Sequence, residues 1–302
     1  MKHFPNYSTM PALLVVGIVS VLVAAECFAT EAAAGRKVPP GAAALGYTKC
    51  VIDERPSTAD ISFDNKGNAK WFNGLWCTPP VPRGKFEMVD GVLAIHLDGV
   101  LVSAPCDFSP RGRLPLLPGK DGFYVEFDVR LSDNDHDHWP AVWLMPIEND
   151  QKNTNHYEGD PPDRTRYMEL DVDEGSMGPG MAGTVHSWIW RNGRVERHRH
   201  NPNNYVFTPL DRAKVHTFGA SYDPTKTTVT WWLDGVKQMS ATKPYCPEIA
   251  AKQHFYLIMN ANYQHKKDMD YRMFVSSVRA YVPPTSSLPA VPAQQGLKER
   301  EH

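Results

Sequence analysis

The chain has 302 residues, with 32 Lys and Arg against 34 Asp and Glu and a formal charge of −2. That near balance, mixed along the chain, leaves no electrostatic footprint for nucleic acid or an anionic membrane as the main partner, and an uncharged polymer suits it better. The length allows one large all-β domain with a substantial core.

The N-terminus opens with MKHFPNYSTMP, the apolar run from Ala12 to Ala25, and then small residues. This order is that of a secretory signal peptide, with cleavage sites after Ala29 or Ala34. The run is short for a span, which takes about 20 apolar residues. Glu26 directly before Cys27 argues against a lipid anchor. Residues 1–34 are therefore assigned to a signal peptide, residues 35–59 to a flexible segment, and the protein to a secreted or periplasmic location without stable membrane association. Export changes how the cysteines read: Cys50, Cys77, Cys106 and Cys246 are expected to form two disulfides, and the sequence does not choose among the three pairings.

From Asp60 to Val282 the signals are strands and turns. FEMVDGVLAIHL, Phe86 to Leu97, reads as strand, Asp-Gly turn, strand. In GFYVEFDVRLS, Phe123, Val125, Phe127 and Val129 alternate with polar neighbours, and TTVTWWLDGVKQMS repeats the strand and turn pattern. HFYLIMNANY is an apolar run with polar flanks. Short strands without intervening helices predict an all-β sandwich or barrel over residues 60–282. Pro283 to His302, rich in Pro, Ala and Ser, is expected to be a disordered tail.

Two further segments invite a metal or rim reading. DNDHDH, Asp133 to His138, lacks the Gly and the distal Glu of an EF-hand loop, Leu144 standing where that Glu would be, so it reads as a solvated loop and no metal site is assigned. RHRH, Arg197 to His200, is expected to be an exposed turn.

The stretch RYMELDVDEGSMG, Arg166 to Gly178, carries the chemistry. At a period of two, Met168, Leu170 and Val172 share one face, and Glu169, Asp171 and Asp173 the other. Like charges on one face destabilise a sheet, so the acids ask for a reason. Paired carboxyls flanking a glycosidic bond supply one, because sugar hydrolysis takes one group to attack or guide water and one to protonate the leaving oxygen. A regular strand would point Glu174 into the core unpaired, which is costly; one β-bulge returns it to the face of Glu169 and Asp171. The bulge is the expectation, with Asp173 as the acid/base if the strand proves regular.

ELDVDE resembles the Glu-x-Asp-x-x-Glu motif of glycoside hydrolase family 16, and HWPAVWLMP, His138 to Pro146, is similar to the segment that precedes it in the family's laminarinases. Weaker likenesses extend from Asp60 to Val282. The resemblance implies a concanavalin-like β-jelly-roll sandwich with a concave sugar-binding cleft, and a retaining mechanism. It assigns Glu169 as nucleophile, Glu174 as acid/base and Asp171 as the assisting carboxylate. Asp173 departs from it, an apolar residue being usual there. The residues expected to bind substrate are Trp139, Trp143, His186, Trp188 and Asn260, each with a structural role as the alternative; Trp190 shares the face of Trp188. The implied protein is a monomeric endo-acting hydrolase that requires no cofactor, although a structural Ca²⁺ occurs in many members. Its substrate is a β-1,3- or mixed-linkage glucan first and an agar- or carrageenan-type galactan second. The same fold without turnover, as a carbohydrate-binding protein, or with a sugar acceptor, as a transglycosylase, are the alternatives.

Overall fold

Hydrophobic alternation becomes two sheets, antiparallel except where Ile61 and Ser62 pair with Trp71 and Phe72, in the computed structural model, which describes residues 37–75, 78–104, 112–149, 166–175, 180–191, 194–200, 206, 208–265 and 270–288, residues 190–191 and 194–200 by backbone alone. Its strands are β1 (Lys49–Glu54), β2 (Ile61–Ser62), β3 (Trp71–Asn73), β4 (Phe86–Val89), β5 (Val92–His96), β6 (Val100–Val102), β7 (Leu117–Pro118), β8 (Phe123–Leu131) and β9 (His138–Pro146). They continue as β10 (Arg166–Glu174), β11 (Thr184–Arg191), β12 (Arg194–His200), β13 (His216–Asp223), β14 (Thr228–Leu233), β15 (Val236–Ala241), β16 (His254–Tyr263) and β17 (Arg272–Val282). One sheet has the order β15-β14-β13-β8-β17-β5-β4, with β1 added on β17; the other runs β12-β11-β10-β9-β16-β6-β3-β2, with β7 added on β16.

The sheets face each other across one core. Val125, Phe127, Val229 and Trp231 from the first sheet meet Leu144, Leu170, Val172, Leu257 and Met259 from the second in a single buried cluster. The alternation expected of β8 is what places Phe123, Val125, Phe127 and Val129 there. The hairpins close where Asp-Gly predicts: Asp90 and Gly91 have φ of 50° and 75°, Asp234 and Gly235 φ of 49° and 77°, the left-handed pair a tight two-residue turn requires. The jelly-roll sandwich expected from the sequence is thus the observed architecture.

Three expectations are corrected. Residues 35–59 are not a flexible segment: from Pro39 the chain belongs to the compact unit, with a short helix α1 (Pro40–Ala43) and β1 paired along β17. Gly41 lets α1 approach the outer face of the first sheet, since a Cβ there would lie 2.5 Å from Tyr124 Cε2. Only Ile52 of β1 is buried, so the strand lacks the alternation that would mark it. RHRH lies not in a turn but in β12, the edge strand beside β11; a charged edge strand resists pairing with another chain. The two expected disulfides do not both form, because Cys50 and Cys246 are free thiols. Cys246 instead packs in the core, its Sγ 3.9 Å from Met168 Sδ. Cys77, Cys106 and the N-terminal apolar run lie outside the described residues, as does the tail beyond Leu288.

Candidate active site

β10 carries the bulge. Its pairing with β9 runs Leu170 to Leu144 and Asp171 to Trp143, then shifts so that Asp173 faces Val142 and Glu174 faces Ala141. Met168, Leu170 and Val172 remain in the core, and Glu169, Asp171 and Glu174 all line one open cavity of about 560 Å³ on the outer face of that sheet. The extra residue is what returns Glu174 to the side of the other two acids. The strand stops at Gly175, whose N–H donates to Pro140 O at 2.7 Å and whose position leaves no room for a Cβ, which would sit 2.2 Å from Pro140 Cδ.

Asp173 goes elsewhere. Arg212 Nη1 and Nη2 donate to its two carboxylate oxygens at 2.7 and 3.1 Å, Ala182 N donates at 3.1 Å, and Arg212 also donates to Gly180 O. The bidentate ion pair is buried, and it keeps Asp173 out of the residues that line the cavity. Arg212→Met should therefore destabilise the protein by about 3–5 kcal/mol by leaving a buried carboxylate unpaired, and Asp173→Asn added to it should recover most of the loss. Urea unfolding of both variants checks this; equal stability of Arg212→Met and wild type would remove the ion pair as the cause.

Indoles hold the two glutamates. Trp188 Nε1 donates to Glu169 Oε2 at 2.6 Å, and Trp139 Nε1 donates to Glu174 Oε1 at 3.3 Å. Trp188 is itself sandwiched, stacked on Tyr167 at 6.2 Å and on His186 at 5.7 Å between ring centres, which fixes the direction of its N–H. His186 Nε2 lies 3.2 Å from Asp171 Oδ2. Trp143 Nε1 donates to Asn260 Oδ1 at 2.7 Å, and both residues line the cavity together with Trp139. Apart from Asp173, the alternative acid/base, the residues expected to act or to bind substrate are thus gathered at this face; Trp190 falls among the residues without described side chains.

Burial raises all three carboxyls. Glu169 is lifted to about 8, first by desolvation and then by the Asp171 charge, against the pull of His186 and the Trp188 hydrogen bond. Asp171 stands well above the ordinary carboxyl range, by desolvation and then by Glu174. Glu174 is raised by desolvation, with His186 and the Trp139 hydrogen bond opposing. Three neighbouring acids cannot all ionise in this setting, so the trio retains protons and titrates as a set. Glu169 receives the shortest indole donor of the trio, the Trp188 N–H at 2.6 Å.

Glu169, Asp171 and His186 each offer a ligand atom within 4.8 Å of the others, the one such metal-capable grouping among the described residues. In DNDHDH, Asp133 Oδ1 accepts from Asp135 N and Asp135 Oδ1 from Asp137 N, but Asp137 Oδ1 also accepts from His265 N and His138 is buried at the start of β9, stacked on Tyr271, so the segment is only in part the solvated loop expected.

Sequence reasoning missed one wall of the cleft. Thr78, Pro79, Pro80, Val81 and Pro82 line the cavity opposite the acids. Buried Asn73 clamps this wall, donating to Val81 O at 2.7 Å and accepting from Val81 N at 3.0 Å. The proline cluster was the available signal, since prolines cannot continue a ladder and pack as a stiff loop. Asp98 also lines the cavity and was not singled out.

A β-sandwich bearing an acidic, indole-lined cleft across one sheet is the class of protein that fold and side chains define. Among solved structures it is similar to the catalytic domain of an endo-1,3-beta-glucanase (laminarinase) from Thermotoga petrophila RKU-1, at a TM-score of 0.48 and 14% identity over 77% of this chain and 97% of that one. It is also similar to the laminarinase from Rhodothermus marinus, at 0.47 and 18% over 76% and 93%. A kappa-carrageenase from Zobellia galactanivorans gives 0.46 and 14% over 68% and 87%. No family model and no curated protein matches the sequence.

Proposed function

We propose that the protein is a secreted, endo-acting, retaining glycoside hydrolase of the family 16 type that cleaves a β-linked polysaccharide. The observation that carries this reading is the bulge in β10, which sets Glu174 beside Glu169 and Asp171 in an open cleft while Asp173 is withdrawn to Arg212.

In the first step a Glu169 oxygen attacks the anomeric carbon as the bond to the leaving oxygen breaks, and Glu174 gives that oxygen its proton. A glycosyl ester on Glu169 and a shortened chain result. Esterification removes the Glu169 charge, so Glu174 can then take a proton from water; the hydroxide equivalent attacks the anomeric carbon, and the ester bond to Glu169 breaks with the anomeric configuration retained. His186, 3.2 Å from Asp171 Oδ2, steadies Asp171 between the two glutamates. Trp139 and Trp143 offer ring faces to the apolar faces of the sugars.

The charge of the cleft supports a neutral glucan, β-1,3- or mixed-linkage, ahead of a sulfated galactan. Asp98, Glu169, Asp171 and Glu174 line it, and no Lys or Arg does so among the described residues. An anionic chain would meet like charge on entry. No cofactor enters the mechanism, and the protein is read as a monomer.

Purified protein beginning after Ala34, incubated with laminarin, lichenan, agarose and κ-carrageenan, tests the proposal by new reducing ends, viscosity and NMR of the first-formed anomer. A rapid fall in viscosity with β-configured new ends on a neutral glucan is expected. Inverted ends would sink the retaining mechanism. Binding without cleavage on all four polymers would favour a lectin-like protein.

A further inference from the structure

The strand that carries the acids is supported from the opposite sheet. Trp231, on β14, is fully buried, and its Nε1 crosses the core to donate to the backbone carbonyl of Asp171 at 2.7 Å. Carbonyls of a regular strand lie in the plane of their own sheet and are taken by neighbouring strands. The Asp171 carbonyl is met by a side chain from the facing sheet, at the residue where the β10–β9 register shifts. Where a bulge breaks the regular ladder a buried carbonyl needs a donor, and here the indole supplies one.

The surroundings are shaped for this contact. Gly183, on the segment that leads into β11, lies so close that a Cβ would stand 2.2 Å from both Cδ1 and Nε1 of Trp231. The next residue back, Ala182, accepts the Glu174 N–H at 2.7 Å and donates to Asp173 Oδ1 at 3.1 Å. The indole, the glycine beside it and the two ends of the bulge therefore form one connected set of contacts. A Trp in the core otherwise reads as packing alone, and packing does not require its N–H to be aimed at one particular carbonyl.

Resting on the hydrolase reading above, we propose that Trp231 is a positioning residue: its N–H fixes the bulge of β10 and thereby the placement of Asp171 and Glu174 relative to Glu169. Trp231 touches no substrate, since it lies in the core cluster and not among the cavity residues. It acts through the backbone of the strand.

The test separates the N–H from the bulk of the ring. Trp231→Phe removes the donor. Trp231→His is smaller and more polar, hence worse for the core, but a five-membered ring seated like the indole's pyrrole places its Nε2 where the indole Nε1 stood. The two variants and wild type are compared by circular dichroism, by kcat and KM on the glucan that wild type cleaves, and by NMR titration of ¹³C-labelled carboxyls, which needs no substrate. Positioning predicts that folded Trp231→Phe loses about 10- to 100-fold in kcat with KM held within about twofold. It also predicts that the midpoints of the trio of Glu169, Asp171 and Glu174 move, and that Trp231→His restores both. Unchanged midpoints and kcat in folded Trp231→Phe would overturn the proposal, as would equal changes in the two variants or failure of both to fold, which would make Trp231 a packing residue. If wild type cleaves no polymer, the hydrolase reading falls by itself and the carboxyl titration still decides for or against the indole's role.

Discussion

Glu174→Gln should lower kcat on a polysaccharide by about 10²- to 10⁴-fold, the range removed with a general acid/base. The amide keeps the shape of the side chain and can still accept from Trp139, which donates to Glu174 Oε1 at 3.3 Å, so the cleft is preserved while the transferable proton is lost. A sugar hydroxyl is a poor leaving group and needs that proton; an activated aryl glycoside does not. The loss should therefore be large on the polymer and small for formation of the glycosyl-enzyme from an aryl glycoside, whose hydrolysis then stalls for want of a base. Added azide, which needs no base, should release a glycosyl azide of retained configuration. Asp173→Asn provides the contrast, because Asp173 is engaged by Arg212 and its effect should fall on stability. If Asp173→Asn removed activity and Glu174→Gln kept it, the acid/base would have to be reassigned and the bulge would have no catalytic purpose.

Why the strand faces and the bulge could be read from residue spacing, and where spacing failed, follows from what each element buries. β8 and β10 show their inner faces in the sequence because Phe123, Val125, Phe127 and then Met168, Leu170, Val172 enter one core while their alternates do not join that core. The bulge was legible because the alternative buried an unpaired Glu174, a cost that local sequence alone exposes. The destination of Asp173 was not, since its partner Arg212 is 39 positions away along the chain. Nor was β1, whose residues pair along β17 with only Ile52 buried and so carry no period. Free Cys50 and Cys246 show the same limit: an even count of cysteines is compatible with bridges, but distance in the fold decides them. Trp231 is the sharpest case, a core residue by every local measure whose N–H has a partner on the opposite sheet.

Glu169→Gln should change two properties in opposite directions. Activity should fall by about 10³-fold or more, because the attacking oxygen is gone and no neighbouring acid can form the same ester. Stability should rise at alkaline pH. The folded protein raises the Glu169 carboxyl from 4.5 to about 8, chiefly through burial. Between those values the folded state binds more protons than the unfolded state, so stability falls as pH rises and levels off above about 8. Below pH 4.5 both states hold the proton and Gln and Glu should be equivalent. At pH 9 the wild type must keep a desolvated carboxylate beside Asp171, whereas the amide carries no charge and can still accept the Trp188 hydrogen bond. The variant should then be more stable by up to a few kcal/mol, or about 5–10 °C in Tm, with the difference opening across that pH window. Differential scanning calorimetry at pH 4, 6, 8 and 9 measures it. A gap independent of pH would mean that the carboxylate is as well solvated in the cleft as in the unfolded chain. A gap that opens as described would mean that the fold bears a stability cost to hold the Glu169 carboxylate in a desolvated cleft.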